Sequence, residues 1–394
     1  MPTRDSPQNR KFMLRTETEI ITLAERVIGA SNREHSADSV LRKVLNAEHG
    51  LSKDASALAS RAVFAYFRWK GWLDGSKPVR SQITQALQLA ERFKREPEKF
   101  SDADMLARAV PDWLAAEMDI TAAWVRSLQA EPKLWLRAQH ARGKAISAQL
   151  GGCRAFGDGL LADILEYVGD ADLFRTTEFQ AGEFEIQDIS SQAVGLICAP
   201  LPGQTWWDVC AGEGGKTLHL SDLMQNRGLI WASDRAAWRL QKLRRRTARA
   251  HVFNYRAAGW NGGAKLPTKT KFDGVLVDAP CSGIGTWQRN PHARWTTSAQ
   301  DLKELGALQK QLLCHASAAV KPGGKLIYAV CTLVRSETAE VVEAFEAQDL
   351  DFARLAVRNP LEVKSPASAP LYFWSQQYGG NGMFVTVWTR TGSA

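Results

Sequence analysis

No run of about 18 apolar residues occurs in the 394-residue chain, which excludes a membrane-spanning helix from the reading. The opening residues, MPTRDSPQNRKFMLRTE, lack the apolar centre of a signal peptide, and a cytoplasmic location is expected. Cysteine is sparse: six residues, at positions 153, 198, 210, 281, 314 and 331, with no C-x-x-C pair. That spacing argues against a zinc site, so no metal is expected, and the scatter suits a reducing compartment. Internal repeats and low-complexity stretches are absent as well. Acid is missing where it would be least expected. The stretch Arg235–Ala250 carries seven basic residues and no carboxylate, whereas a solvated helix face usually mixes signs.

What is present points to several domains. The length suggests two or three, and 45% apolar residues suffice for sizeable cores. A net charge of +8 and a pI near 9.2 favour an anionic partner, of which nucleic acid is the commonest. Residues 1–16 read as a disordered basic tail. From Glu17 to about Gln129 the pattern is helical. Ala55, Leu58, Ala59, Ala62, Val63, Tyr66 and Phe67 form one apolar face behind a Ser52 N-cap, and a second helix follows Pro78. Arg61, Arg68 and Lys70 on this region are candidate nucleic-acid contacts, although a solvated face explains them better. Residues 101–185 read as a mixed segment, with a strand at Pro132–Arg137. From Gln187 strands and helices alternate: strands at 205–210, 229–233, 251–254, 272–277, 325–330 and 383–389, with helices between. Such alternation argues for a parallel, doubly wound α/β sheet.

The chemistry sits at the ends of these strands. The stretch FDGVLVDAPCSGIGTW, Phe272 to Trp287, is a strand ending on Asp278, followed by Pro280, Cys281 and Gly283. Proline removes a donor and directs the chain, and glycine lets backbone approach a ligand. Asp208–Thr217, DVCAGEGGKT, runs from a strand through a glycine-rich turn into a helix, the usual place for a ligand in a doubly wound fold. It is neither a P-loop, since Cys210 occupies a glycine position, nor G-x-G-x-x-G, since Thr217 does. A nucleoside without a triphosphate fits better. Asp234, ending the second strand, can accept both hydroxyls of a ribose or can cap the next helix. Cys331 follows strand KLIYAV as Cys281 follows its own strand. If the two strands are neighbours, both thiols face one cleft, and the helix N-termini after them are expected to lower their pKa values. Two thiols and an aspartate beside a nucleoside cofactor suit methylation of carbon 5 of cytosine. A thiolate added at carbon 6 turns the ring into an enamine, an acid near nitrogen 3 stabilises the adduct, and a base then removes the carbon-5 hydrogen. S-adenosyl-L-methionine is the methyl donor this implies.

On these motifs the chain resembles the RsmB/Sun (Fmu) family of RNA cytosine carbon-5 methyltransferases over nearly its whole length. Gln187-Asp188-Ile189-Ser190-Ser191-Gln192 is similar to the family's lead-in to the cofactor motif, and residues 17–100 resemble its NusB-like RNA-binding domain. The resemblance implies an all-α N-terminal domain at 17–100, an α+β connector at 101–185, and a C-terminal α/β Rossmann-like methyltransferase domain at 186–394. It implies Cys331 as nucleophile and Cys281 in product release, with Asp278 as the acid. Cofactor contacts fall on Cys210, Ala211, Gly212, Glu213, Gly214, Gly215, Lys216, Asp234 and Asp278, with Asn254 standing where the family has an acid. Glu213 replaces the family's proline, His292 an acid, and Arg137-Ala138-Gln139 its Arg-x-Asn. Expected partners are RNA, in particular small-subunit (16S) ribosomal RNA or a ribosomal particle, with no membrane and a monomeric state. Two other readings stay open: an RNA-binding ribosome-assembly factor with a degenerate site, and an amino-group methyltransferase. The latter needs an Asp/Asn-Pro-Pro-aromatic turn, where this chain has Asp278-Ala279-Pro280-Cys281.

Overall fold

A computed structural model describes residues 7–48, 51–348, 350–362 and 364–392. The chain divides into two compact units. One comprises the chain up to Glu131 together with Thr286–Ala299, the other Pro132–Gly285 and everything from Gln300. The expected borders move accordingly. Residues 101–131 belong to the helical unit, and the remainder of the anticipated connector carries a sheet within the second unit.

The helical unit contains α1 (Pro7–Ala30), α2 (Ala37–Ala47), α3 (Lys53–Trp69), α4 (Val79–Arg95), α5 (Asp102–Arg108) and α6 (Ala122–Gln129). Of the tail expected at 1–16, residues 1–6 lie outside the described residues, and from Pro7 the chain is helix rather than tail. Helix α3 starts as its sequence implies, with Ser52 Oγ accepting from the Ala55 amide at 3.1 Å. Its residues Ala62, Val63, Tyr66 and Phe67 pack on Val27, Val40, Leu41 and Ile83.

The segment 286–299 is held in this unit by a buried cation. Arg294 donates to the carbonyls of Ala109 at 2.9 Å, Leu128 at 3.2 Å and Arg68 at 3.4 Å. These lie at the C-terminal ends of α5, α6 and α3, where unpaired carbonyls and the negative ends of the helix dipoles favour a positive charge. Burial lowers the Arg294 pKa to about 9, aided by repulsion from Arg68, so the charge survives at neutral pH. Trp295 Nε1 donates to Phe67 O at 2.7 Å. His292, where the resembled family has an acid, lies edge-on to Phe67 with ring centroids 4.7 Å apart, and burial, then Lys70, keeps its pKa low and its ring neutral. Arg68 itself is buried and donates to Gln288 O at 3.0 Å, while Arg61 pairs with Glu91. Neither is a free phosphate ligand.

The second unit opens with an antiparallel sheet of β1 (Leu134–Ala138), β2 (Cys153–Ala155), β3 (Ile164–Tyr167) and β4 (Phe184–Ile186), in the order β2-β3-β1-β4, with α7 (Gly143–Leu150) and α8 (Thr177–Gln180). The larger sheet follows. Its strands are β5 (Thr205–Asp208), β6 (Leu229–Asp234), β7 (Tyr255–Gly259), β8 (Phe272–Asp278), β9 (Val320–Val330), β10 (Phe352–Arg354), β11 (Leu371–Phe373) and β12 (Met383–Arg390). Its helices are α9 (Ile189–Cys198), α10 (Gly215–Leu223), α11 (Ala237–Arg249), α12 (Ala299–Ser317), α13 (Ala339–Glu346) and α14 (Ser375–Tyr378). The strand order is β10-β12-β9-β8-β5-β6-β7, with β11 beside β12. Strands β5 to β9 are parallel, as alternation predicts, but β12 is antiparallel to β9. The chain reaches β12 through β11 and α14 at the edge where β9 ends, so Phe384 pairs with Val330. The third strand lies at 255–259, not at 251–254.

Alternation along β8 builds both cores. Leu276 joins Trp206, Ile230 and Ile327 under α9 and α10, while Val275 and Val277 join Trp207, Leu326 and Tyr328 under α12 and α13. Gly274 interrupts the run because a Cβ there would stand 2.4 Å from the Trp206 indole. The chain winds from β5 to β7 in one direction, then returns to β8 and β9 on the other side. The reversal leaves a crevice beyond the carboxyl ends of β5 and β8, where ligands bind in such sheets.

Arg294→Ala should lower the stability of the helical unit by about 3 kcal/mol or more, because several helix-end carbonyls lose a charged donor at once. Urea unfolding followed by circular dichroism measures this; an unchanged first transition would show that solvent replaces the guanidinium.

Candidate active site

The glycine turn after β5 depends on two residues in the left-handed region, Gly212 at φ 55° and Gly214 at φ 90°. Asp234, at the end of the adjacent β6, steadies this turn: Oδ2 accepts from the Gly212 amide at 3.0 Å and Oδ1 from the Ala236 amide at 2.8 Å. The carboxylate thus closes the turn that leads into α11, whose N-cap position is Ala236 and carries no side-chain cap. Glu213 bonds Lys242 Nζ at 2.7 Å, so its added charge is taken up by a cation outside the turn.

Lys216 lies in the first turn of α10 and crosses to the end of β8. Its ammonium donates to Asp278 Oδ2 at 2.6 Å and to Ser191 Oγ at 3.1 Å. Burial weighs against this charge, but attraction to Asp278 and Asp208 outweighs it and holds the pKa above the usual lysine value. Ser191 belongs to the Gln187–Gln192 lead-in, which is fastened in turn: Arg137 Nε donates to Gln187 Oε1 at 2.7 Å, and Gln192 Nε2 donates to Leu136 O at 3.2 Å. Gln139 is spent on Gly182 O at 2.7 Å. The Arg137-Ala138-Gln139 run is thus bound within the protein. Asp208, fully buried between these groups, accepts from Thr217 Oγ1 at 2.6 Å. Burial, reinforced by Asp278 and opposed by the Thr217 bond, raises its pKa from 3.8 to about 7.

Because β8 and β9 are neighbours, with Asp278 opposite Ala329, the loops after them bring the two thiols together. Cys281 Sγ and Cys331 Sγ are 3.2 Å apart, and both cysteines are free. The loop carrying Cys281 is braced from behind. Glu337 Oε2 accepts from the Ser282 amide at 2.9 Å and from Gln309 Nε2 at 2.8 Å, and Gln309 Nε2 also reaches Pro280 O at 2.9 Å. The Tyr328 hydroxyl completes this network on Gln309 Oε1 at 3.0 Å. Only short 3-10 turns follow the thiols, Ile284–Thr286 and Arg335–Glu337. The expected helix-dipole effect is accordingly not found at Cys281. Its pKa is pushed well up, by the hydrogen bond to Cys331 first, then by burial and the nearby Glu337 charge. Cys281 therefore keeps its proton, and the Lys216 charge faces Cys331.

A cavity of about 350 Å³ opens over these strand ends. Of the residues singled out in the sequence, Cys210, Ala211, Gly212, Asp234, Asp278, Cys281 and Cys331 line it. Glu213, Gly214, Gly215 and Lys216 are not among its lining residues. Asn254 is a correction. It precedes β7, at the opposite edge of the sheet, and its side chain is buried on Ser221 Oγ at 2.7 Å and Arg227 O at 3.4 Å. With the strand at 255–259, the position at its carboxyl end falls on Trp260, which lines the cavity with Asn261, Gly262, Leu308 and Leu312. These apolar walls escaped the sequence reading; the one signal was an indole directly after a strand. The combination suits a nucleoside: apolar walls from Trp260, Leu308 and Leu312, a carboxylate on the glycine turn, and the two thiols in the same lining.

The family model for 16S rRNA methyltransferase RsmB/F matches residues 195–389. A probable ribosomal RNA small subunit methyltransferase B of Synechocystis is 39% identical over 193 residues, covering 48% of this chain and 42% of the relative. One from Bacillus subtilis is 32% identical over 225 residues, 54% and 49% of the two chains. The chain thus spans under half the length of these two relatives. With the ribosomal RNA small subunit methyltransferase B of Xylella fastidiosa the match is 32% over 335 residues, 80% of this chain and 74% of the relative. Among solved structures, PH0851 aligns with a TM-score of 0.74 at 20% identity over 93% of this chain and 98% of its own. NSun6 from Pyrococcus horikoshii with SFG aligns with a TM-score of 0.60 at 17% identity over 69% and 94%. At such identity the likeness establishes the fold.

The raised pKa of Asp208 has a consequence for stability. Its folded value of about 7 exceeds the ordinary 3.8, so the unfolded chain gives up this proton first and stability falls as pH rises between the two. Asp208→Asn removes that loss. Relative to the wild type, the variant should gain up to about 4 kcal/mol between pH 4 and pH 8. Urea melts at both pH values test this; a difference that does not change with pH would show that Asp208 is ionised throughout.

Proposed function

Since the chain belongs to the 16S rRNA methyltransferase family RsmB/F, we propose that it methylates carbon 5 of cytosine in RNA, with small-subunit ribosomal RNA as the substrate. The observation that carries this reading is the thiol pair. Two free cysteines 3.2 Å apart, lining one cavity with a carboxylate paired with a buried ammonium, match a reaction that needs a nucleophile, an acid and a proton acceptor in one place.

S-adenosylmethionine, when bound, supplies an electrophilic methyl group. The turn Cys210–Gly212 and Asp234 would hold its ribose and amino-acid part, and Trp260 and Leu312 its base. Cys331 attacks carbon 6 of the cytosine, and the proton its sulfur gives up passes through Asp278 to nitrogen 3 of the ring. Asp278, positioned by Lys216, thereby neutralises the charge that attack at carbon 6 pushes onto the ring and stabilises the adduct. Carbon 5, now nucleophilic, takes the methyl group. With the Cys331 sulfur bound to carbon 6, the thiol–thiol hydrogen bond that chiefly held the Cys281 proton is gone; Cys281 then assists removal of the carbon-5 hydrogen as a proton, and the Cys331 sulfur leaves with the electron pair of its bond to carbon 6, which restores the aromatic ring. An assembly factor with a degenerate site is the weaker reading, because its two motivating substitutions lose their force: Glu213 is neutralised by Lys242 and Asn254 is remote from the cavity.

Asp234→Ala should weaken S-adenosylmethionine binding by roughly 2–4 kcal/mol, the loss of two charge-assisted hydrogen bonds. Calorimetry that returns an unchanged dissociation constant would remove the ribose assignment. The thiols separate on one denaturing gel run with RNA and cofactor. Cys331→Ala should abolish methylation and leave no covalent species. Cys281→Ala should transfer the methyl group and then stall, leaving a protein–RNA band that the wild type barely shows. Reversed behaviour would make Cys281 the nucleophile. Methylation by both variants without a trapped band would make the cysteines structural.

A further inference from the structure

Helix α11 is more divided in its duties than its composition suggests. Leu240, Leu243 and Thr247 are buried against the sheet. Three of the seven cations of the basic stretch are committed inside the protein. Lys242 pairs with Glu213, and Arg246 and Arg249 both pair with Glu185, which precedes them by some sixty residues in the chain. Four remain on the outer surface: Arg235, Arg239, Arg244 and Arg245. Among the described residues none of these four has an ion-pair partner. Arg235 and Arg239 line the cavity that holds the thiols, so the stripe begins at the site itself.

Between them stands Trp238, with 55% of its surface exposed. An exposed tryptophan in the middle of a cationic helix face has no role in the core. Its indole is flanked by Arg239 at 5.4 Å and Lys242 at 4.9 Å from the ring centroid. Both cations stand over the ring, and the indole surface they do not cover is open to solvent beside positive charge. A flat aromatic surface among unpaired guanidinium groups is how proteins take hold of a single strand: phosphates meet the cations and an unpaired base lies on the ring. A folded protein partner would instead need an apolar patch wider than one indole.

We propose that Trp238, with Arg235, Arg239 and Arg245, is the docking surface for the single-stranded RNA that flanks the target cytosine, Trp238 stacking one unpaired base. This rests on reading the cavity as that of an RNA cytosine methyltransferase. The spacing agrees with a path along the helix. Positions 238, 242 and 245 share one stripe, 239 lies beside it and Arg235 just precedes the helix, so the strand runs beside the helix axis toward the cavity wall that Arg235 and Arg239 line.

The experiment measures binding of an unstructured cytidine-containing RNA to the full chain as a function of salt, for wild type, Trp238→Ala, Trp238→Phe and Arg245→Ala. S-adenosylmethionine binding is followed in parallel by calorimetry. Three neutralised phosphates give a wild-type log–log slope of about −2, and Arg245→Ala should reduce it to about −1.4. Trp238→Ala should weaken binding about tenfold at fixed salt without changing the slope, and Trp238→Phe should restore most of that loss. Cofactor affinity should stay constant in the Trp238 variants, which distinguishes a docking role from damage to the fold. If the wild type binds and methylates RNA while the variants bind it equally well with the same slope, this face is merely solvated and the inference falls alone. If the wild type binds S-adenosylmethionine but neither binds nor methylates RNA, the functional reading falls and takes the inference with it.

Discussion

One ammonium group holds the site together. Lys216 Nζ reaches from the glycine turn to Asp278, while Ser191 accepts from it on the lead-in helix. Asp208 and Asp278 end neighbouring strands, and without a cation between them two carboxylates would repel across a medium that screens poorly. Lys216 neutralises one of these charges, and the raised pKa of Asp208 shows how the other is relieved, by binding a proton near neutral pH. Removing one partner from such a buried pair costs about 3–5 kcal/mol, because the remaining charge has nowhere to go. The position of Asp278 then sets that of the loop behind it, and so of Cys281 relative to Cys331.

That loop is constrained from a second direction within its own unit. Glu337, Gln309 and Tyr328 hold its backbone through Ser282 and Pro280. The helical unit keeps its own inserted segment, 286–299, by the same means, with Arg294 gripped by the ends of three helices. Polar networks of this kind specify one arrangement, which suits a loop that must keep two sulfurs within reach of one base.

Much of this was legible in the sequence, and the failures have physical causes. The strand ends carrying Asp208, Asp234, Asp278 and Cys331 stood out because short β-branched and aliphatic runs stop at acids, glycines and prolines. Neighbouring strands for the two thiols followed from the doubly wound order. By contrast, β7 is Tyr-Arg-Ala-Ala-Gly, with hardly a strand-forming residue. Reading it four residues early turned attention to Asn254 and hid Trp260. The capture of 286–299 by the helical unit was invisible, since Arg294 bonds backbone carbonyls far away in the chain, and carbonyls have no residue identity. For the same reason the domain border was drawn at 100 rather than at 131. The basic helix looked uniform because Glu185, which occupies two of its arginines, is remote in sequence.

The most direct test of the account is a mechanism-based trap. RNA containing 5-fluorocytidine is incubated with the wild-type protein and S-adenosylmethionine, the mixture is digested, and the peptides are sequenced by mass spectrometry. Fluorine at carbon 5 cannot leave as a proton, so the adduct formed after attack at carbon 6 persists. The account predicts one modified peptide, carrying a methylated fluorocytidine on Cys331, with Cys281 unmodified. An adduct on any other residue, or methylated RNA with no adduct at all, would contradict it.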